Sequence, residues 1–427
     1  MPILYLILIW LLLGSSSDRQ ILNADSGVDG DYQDAIPFSV GRDLAGGEIE
    51  GISALVVADL NGDGLPDVLT LEGGKHAGGR MTVGWLEAPA NLTGQWQFHP
   101  LPKPQTLKSE PVTTPFIGSA QCSDIDLDGD IDIVLSADKH SGDISSASVY
   151  ILQNPGKNAE NPDQWGVVEM IRDQPWHHIN DMVIANLDRT GSPEVIVRTL
   201  EPNQLVIFRR EGAEHWSSRI LDASPFGSTG EGFAIGDIDK KGNPDVVIGG
   251  YWLATPEDIL TGNFIAHPID TVYKQVNANM KLDVGDINLD GFNDVVISPA
   301  EGYRNGGNYD LAWYEAPTSA KGKWTKHVVV SGYNGGHTVK LGDLNLDGYP
   351  DLLSGVCWNN WDQRKHISIF IYNPATGEYG SPQLIISDKG LYTGVVTDID
   401  NDGDLDIIGQ DEYSGHSRPY LYENRMR

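Results

Sequence analysis

One nine-residue pattern, found seven times, constrains what this chain can fold into more than any other feature. It runs acid or Asn, any residue, Asp or Asn, any residue, a variable position, Gly, two further residues, and an acid. The copies read DLNGDGLPD from Asp59, DIDLDGDID from Asp124, NLDRTGSPE from Asn186 and DIDKKGNPD from Asp237. They continue as DINLDGFND from Asp286, DLNLDGYPD from Asp343 and DIDNDGDLD from Asp398. Successive copies lie 65, 62, 51, 49, 57 and 55 residues apart, a period that points to one supersecondary unit repeated along the chain.

Short apolar runs flank each copy. LVVA, MVIA, FAIG, KLDVG and VKLG precede, and DVLTL, DIVLS, EVIVR, DVVIG, DVVIS, DLLSG and DIIGQ follow. Their length and β-branched content suit strands on either side of a tight turn. A third apolar segment recurs in six of the repeats (GWLEAP, VYILQNPG, LVIFRREG, LAWYEAP, IFIYNPATG, YLYEN), and a fourth in several (WQFHPL, WSSRIL, FIAHPI, WTKHVVV). Four strands per repeat and seven repeats predict an all-β, seven-bladed β-propeller. The last repeat stops at YLYEN, after its third strand, and IPFSVGRDL at 36–44 stands where a fourth is missing, so the N-terminal strand is expected to close the ring. The expected organisation is a signal peptide at 1–17, a linker at 18–35 and one propeller at 36–427.

Oxygen side chains at positions 1, 3 and 5, Gly at 6 and a carboxylate at 9 place several hard ligands around one point, and Gly permits the sharp backbone turn. Without Cys or His in the set, Ca²⁺ is favoured over transition metals. Five copies carry Asp or Asn at all four side-chain positions and predict about five Ca²⁺ sites. The expected ligands are Asp59, Asn61, Asp63 and Asp67; Asp124, Asp126, Asp128 and Asp132; Asp286, Asn288, Asp290 and Asp294; Asp343, Asn345, Asp347 and Asp351; and Asp398, Asp400, Asp402 and Asp406. The copies at Asn186 and Asp237 have Thr190 and Lys241 at the fifth position, and a Lys ammonium there can replace a cation.

Ile3 to Leu13 are almost wholly apolar and Gly14-Ser15-Ser16-Ser17 follow. That run is too short to span a bilayer and suits a secretory leader, so the chain is expected outside the cytoplasm, secreted or periplasmic, with no membrane span in the mature part. The formal net charge of −31 excludes general nucleic-acid binding, which needs a basic face. Cys122 and Cys357 are too few and too far apart for a disulfide scaffold or a cysteine zinc site. A monomer is the expected state.

If the inner strand of each blade ends at the acidic loop, it begins on the opposite rim, to which the loop between the second and third strands also returns. That rim collects Lys75, His76, Lys139, His140, His178, Glu231, Trp252, Tyr303, Arg304, His337, Trp358, Trp361 and Tyr413 as candidate ligand-binding residues. At least seven of the 11 histidines fall there. Aromatic faces stack on sugar rings, cations hold carboxylates, and His or Tyr moves protons near neutral pH. His178, His337, Tyr303, Arg304 and His140 are the catalytic candidates. His337 stands beside Gly335-Gly336, which leave room for close approach.

The DxDxDGxxD loops and their spacing resemble those of the FG-GAP/VCBS-repeat proteins, seven-bladed propellers of the integrin-alpha type. The resemblance covers about 38 to 424 and implies an extracytoplasmic calcium-binding propeller. Its members include adhesion heads, lectin-like modules and sugar lyases. The leading expectation is a secreted protein that binds a carbohydrate or acidic polymer on the rim opposite the calcium loops. The W-x-x-H-x-I and WYEAP-like segments are similar to those in the propeller part of aldos-2-ulose dehydratase-like proteins, which implies a sugar lyase or dehydratase as the alternative. A module that binds a surface protein is the third.

Overall fold

In the computed structural model, the described residues are 35–72, 82–104, 107, 114–141, 144–212, 215–227, 230–275, 279–300, 309–318, 322–333, 335–357, 365–412 and 416–427. Seven antiparallel blade sheets follow one another along Ile36–Arg427, beside one two-stranded hairpin at Tyr372–Asn373 and Glu378–Tyr379. Each blade has at least four strands, and in all but the last, whose outer strand comes from the N-terminal segment, four of them run in chain order from axis to periphery. The first blade is Ile52–Ala58, Asp67–Glu72, Val83–Glu87 and Gln97–Pro100. The inner strands of the next six are Ala120–Ser123, Ile179–Ala185, Phe233–Gly236, Met280–Gly285, Gly336–Gly342 and Thr393–Thr397. Each packs on its neighbour in turn, and Thr393–Thr397 returns to Ile52–Ala58, so the blades form a closed ring.

The second strand of each blade has a neighbour blade on both sides, which is why it reads as a continuous apolar run rather than an alternating one. In the third blade, Val195 and Val197 face the second blade while Ile196 faces the fourth. Seven apolar clusters result, one between each pair of adjacent blades, and the seventh joins Leu421 and Ile408 of the last blade to Leu55 and Val68 of the first. Third-strand tryptophans wedge three of these seams. Trp85, Trp252 and Trp313 are fully buried, and each stacks on the histidine directly across from it on the fourth strand, at 4.4 Å from His99, 4.2 Å from His267 and 4.1 Å from His327.

The ring closes as the sequence implies. Arg42–Asp43 pairs antiparallel with Pro419–Tyr422 as the fourth strand of the last blade, with a further bridge from Phe38 to Asn424. Ile36 and Leu44 are buried beneath it. The Arg418 guanidinium holds the seam from outside, 3.2 Å from Asp43 and in contact with Glu50.

The second blade departs from the others. Its strands Asp132–Ser141 and Ile144–Gln153 are ten residues each, and their extension carries an extra strand, Thr114–Phe116, paired to Asp138, Lys139 and His140. This overhang stands above the axial opening on the rim away from the acidic loops.

Candidate functional site

The seven acidic loops share one backbone. Residue four is left-handed in every copy, as Gly62, Leu127, Arg189, Lys240, Leu289, Leu346 and Asn401, and so is the sixth-position Gly. Only Gly adopts the second of these without strain, since its φ lies between 89° and 100° in all seven. The first Asp accepts the amide of the sixth residue, as in Gly64 to Asp59 (2.9 Å), Gly129 to Asp124 (3.0 Å) and Gly403 to Asp398 (3.0 Å).

Position nine has a second task that the spacing did not disclose. One oxygen of Asp67 accepts the Leu60 amide and the other accepts Ala88 at the end of the third strand. Asp132, Asp245, Asp294, Asp351 and Asp406 repeat the arrangement, to Asn154, Thr255, Ala316, Tyr372 and Asn424 on the third-strand side. This buried carboxylate clasps the loop to the sheet. Burial, with neighbouring loop acids, pushes Asp67, Asp132, Asp294, Asp351 and Asp406 up to about 7.

Three carboxylates converge, their ligand oxygens within 4.8 Å of one another, in three loops: Asp124, Asp126 and Asp132; Asp237, Asp239 and Asp245; Asp398, Asp400 and Asp406. Oδ1 atoms of Asp126, Asp237, Asp286 and Asp400 are buried and accept no hydrogen bond. Buried oxygens without a donor are costly, so this donor set fits a hard cation. In the Asp237 loop the Lys241 ammonium lies 2.5 Å from Asp239. Copies one, five and six carry Asn at position three, and there Asn61, Asn288 and Asn345 turn Nδ2 toward the acid at position five.

At the other end of the ring lies an axial cavity of about 380 Å³. Inner strands from all seven blades line it, and three of them carry a one-residue bulge at its mouth, between Ile52 and Ala54, Ile179 and Asp181, and Gly336 and Thr338. The bulged residues Ser53, Asn180 and His337 all line the cavity. A bulge re-aims a side chain that strict pleating would direct elsewhere.

A charged network surrounds these residues. Lys281 Nζ is 2.7 Å from Glu231 and 3.1 Å from Asp181, and Asp181 also accepts the Gly232 amide at 2.7 Å. His337 donates Nδ1–H to the Tyr392 carbonyl (2.9 Å), stacks on the Tyr392 ring and points Nε2 at Glu231 (3.3 Å). Burial alone would raise Glu231, but the Lys281 and His337 charges outweigh it and hold the carboxyl well below its ordinary range. The fully buried Arg198 guanidinium donates to the carbonyls of Glu231 and Gly232, and burial lowers it to about 10. On the facing wall, His178 Nδ1 is 3.2 Å from the buried Asp138, whose carboxyl burial pushes well above the usual range, and the Phe116 ring edges against His178.

Of the sequence candidates, His178 and His337 line the cavity, and Glu231 stands behind the lining against Lys281 and His337. Lys139 lies apart on the overhang, paired with Asp173 at 3.3 Å, and His140 is placed on the same strand. Trp252 is a correction: at 1% exposure it packs in the seam between blades four and five and offers no face to a ligand. Lys75, His76, Tyr303, Arg304, Trp358, Trp361 and Tyr413 lie outside the described residues, as does the leader at 1–17. Sequence reading missed Ser53, Gln121, Lys340 and Thr393, which also line the cavity. Lys340 had a visible signal, being a cation inside the otherwise apolar run VKLG.

Residues 286–354 match the family model described as FG-GAP-like repeat. The match spans the fifth loop, the rest of its blade, and the sixth loop with the strand that follows it. Together with the ring of seven blades it describes a binding or interaction module. Among the described residues, no helix is long and apolar enough to cross a membrane.

Proposed function

We propose that this FG-GAP-type seven-bladed β-propeller is an exported, calcium-stabilised binding protein whose ligand, a carbohydrate in class, enters the axial cavity on the rim opposite the acidic loops. The observation that carries the reading is the convergence of three bulges, from blades one, three and six, on one cavity. Ser53, Asn180 and His337 come from strands far apart in sequence, and all three meet at the same mouth. The Asn180 amide and the Ser53 hydroxyl, which can still accept beside its bond to Leu71, are hydrogen-bonding groups of the kind that fix a sugar ring in a concave site, with the His337 ring as part of the wall. Calcium would be held by the loops at Asp59, Asp124, Asp286, Asp343 and Asp398, where it would neutralise clustered carboxylates and leave the cavity chemistry to the other rim. Screening the full chain against a panel of neutral and uronate-containing glycans tests the reading. Binding that Asn180→Ala weakens tenfold or more supports it, and absence of binding to every glycan removes it.

A second reading, a sugar lyase or dehydratase, has one observation in its favour. Asp138 orients His178 at the cavity wall, the pairing that makes imidazole a proton acceptor beside a carbonyl or carboxylate. Ultraviolet absorbance of an unsaturated product, lost in His178→Ala, would select it over simple binding.

A further inference from the structure

The acids at and around the axial cavity are already engaged within the fold. Asp181 and Glu231 share the Lys281 ammonium, Glu231 also faces His337, and Asp138 takes His178 and the Ile179 amide. One cation is not so engaged. Lys340, half-buried on the inner strand of the sixth blade, lines the cavity, and no carboxylate among the described residues lies within ion-pair reach of it. Asn180, Gln121 and Thr393 line the same space, and among the described residues their side chains have no hydrogen-bond partner. In a chain of net charge −31, an unpaired ammonium in a concave site is an exception, since partly buried charge is costly without a counter-ion. A ligand carboxylate supplies the missing partner, and amide and hydroxyl groups around it suit ring hydroxyls.

Size and direction narrow the ligand further. About 380 Å³ is at the small end of ligand pockets, which run roughly 300–1,000 Å³, and gives room for about one or two sugar rings. Inner strands surround the space, so a ligand enters along the ring axis with one end leading, not laid across as a continuous chain.

Resting on the carbohydrate reading above, we propose that Lys340 is the carboxylate anchor of the axial site and that the protein recognises the terminal uronic acid of an acidic carbohydrate, end first. The experiment is calorimetric titration of the full chain with D-glucuronate, D-galacturonate, their neutral parents glucose and galactose, and oligogalacturonates of two and about ten residues. Wild type binds a uronate at least tenfold more tightly than its neutral parent. Lys340→Ala and Lys340→Gln, checked for unchanged melting temperature, abolish that preference, and Lys340→Arg keeps part of it. The dimer binds within a few-fold of the decamer per chain end. Uronate binding unchanged in both Lys340 variants overturns the anchor, and a decamer that binds where monomer and dimer do not overturns end-on recognition. Wild type that binds neutral sugars without preferring uronates overturns the anchor but leaves the carbohydrate reading standing. Failure to bind any glycan overturns both.

Discussion

Asn401 Nδ2 donates a 2.8 Å hydrogen bond to the carbonyl of Gly64, tying the loop of the last blade to the loop of the first across the point where the ring closes. On the same blade, the N-terminal segment supplies the outer strand and buries Ile36 and Leu44. Each such side chain contributes roughly 1.5–3 kcal/mol. A chain beginning at residue 46 is therefore expected to lose about 3–6 kcal/mol and to expose the edge of Pro419–Tyr422. Denaturant unfolding and light scattering read this out; equal stability and unchanged scattering would contradict a stabilising role for the N-terminal strand.

Removing calcium is expected to lower the melting temperature. A saturated site contributes on the order of 2–3 kcal/mol when the ion is at about 100 times its dissociation constant. Asp124→Ala should reproduce part of the loss, because it removes one of three converging carboxylates. Calorimetric scans with and without chelator check this, and superimposable traces would remove the calcium assignment.

Leu127 holds a left-handed conformation, φ 64°, with 56% of its surface exposed. A left-handed non-glycine residue costs about 1–2 kcal/mol, and little packing is at stake at so exposed a position. Leu127→Gly should stabilise the chain by up to about 1 kcal/mol, and Leu127→Val should destabilise it, seen as opposite shifts of the urea midpoint.

Truncating Lys281 leaves Asp181 and Glu231 inside without their shared cation. Lys281→Met is expected to cost on the order of 3 kcal/mol, measured by chemical denaturation at neutral pH.

Acid should act on the same cluster. The Glu231 carboxyl is depressed in the folded state, so its contribution is complete above the unfolded value of about 4.3 and is lost as pH falls further toward its folded value. Melting temperature against pH should show this loss only below about pH 4, and Glu231→Gln should reduce that acid-limb slope. An identical slope in the variant would show that the cluster does not govern it.

The ring and its loops were legible because they depend on fixed spacings. Asp59 through Asp67 must supply oxygens and a left-handed Gly at set offsets, and the flanking runs must be apolar on both faces. The cavity mouth was less legible because a bulge shifts alternation by one residue, as at Asn180 and His337, and no spacing announces it. Trp252 misled for a different reason. Read alone it is a rim aromatic, yet it occupies the same third-strand position as Trp85 and Trp313, two residues across from the clasping Asp in each blade. Comparison of the three repeats carried that information. Lys340 stands only three residues before Asp343, inside the strand, below the depth at which the rim was sought.

The ninth-position clasp separates two demands that the acidic motif otherwise confounds. Glu194 still accepts the Leu187 amide at 2.7 Å in a loop where Asn186 and Thr190 weaken the ligand set, and Asp245 keeps both amide partners although Lys241 crowds its loop. The shape of a repeat thus does not depend on a full set of oxygen ligands. Substitution at the first, third and fifth positions is therefore expected to leave a blade in place, whereas loss of the ninth acid would unpin its third strand from the loop.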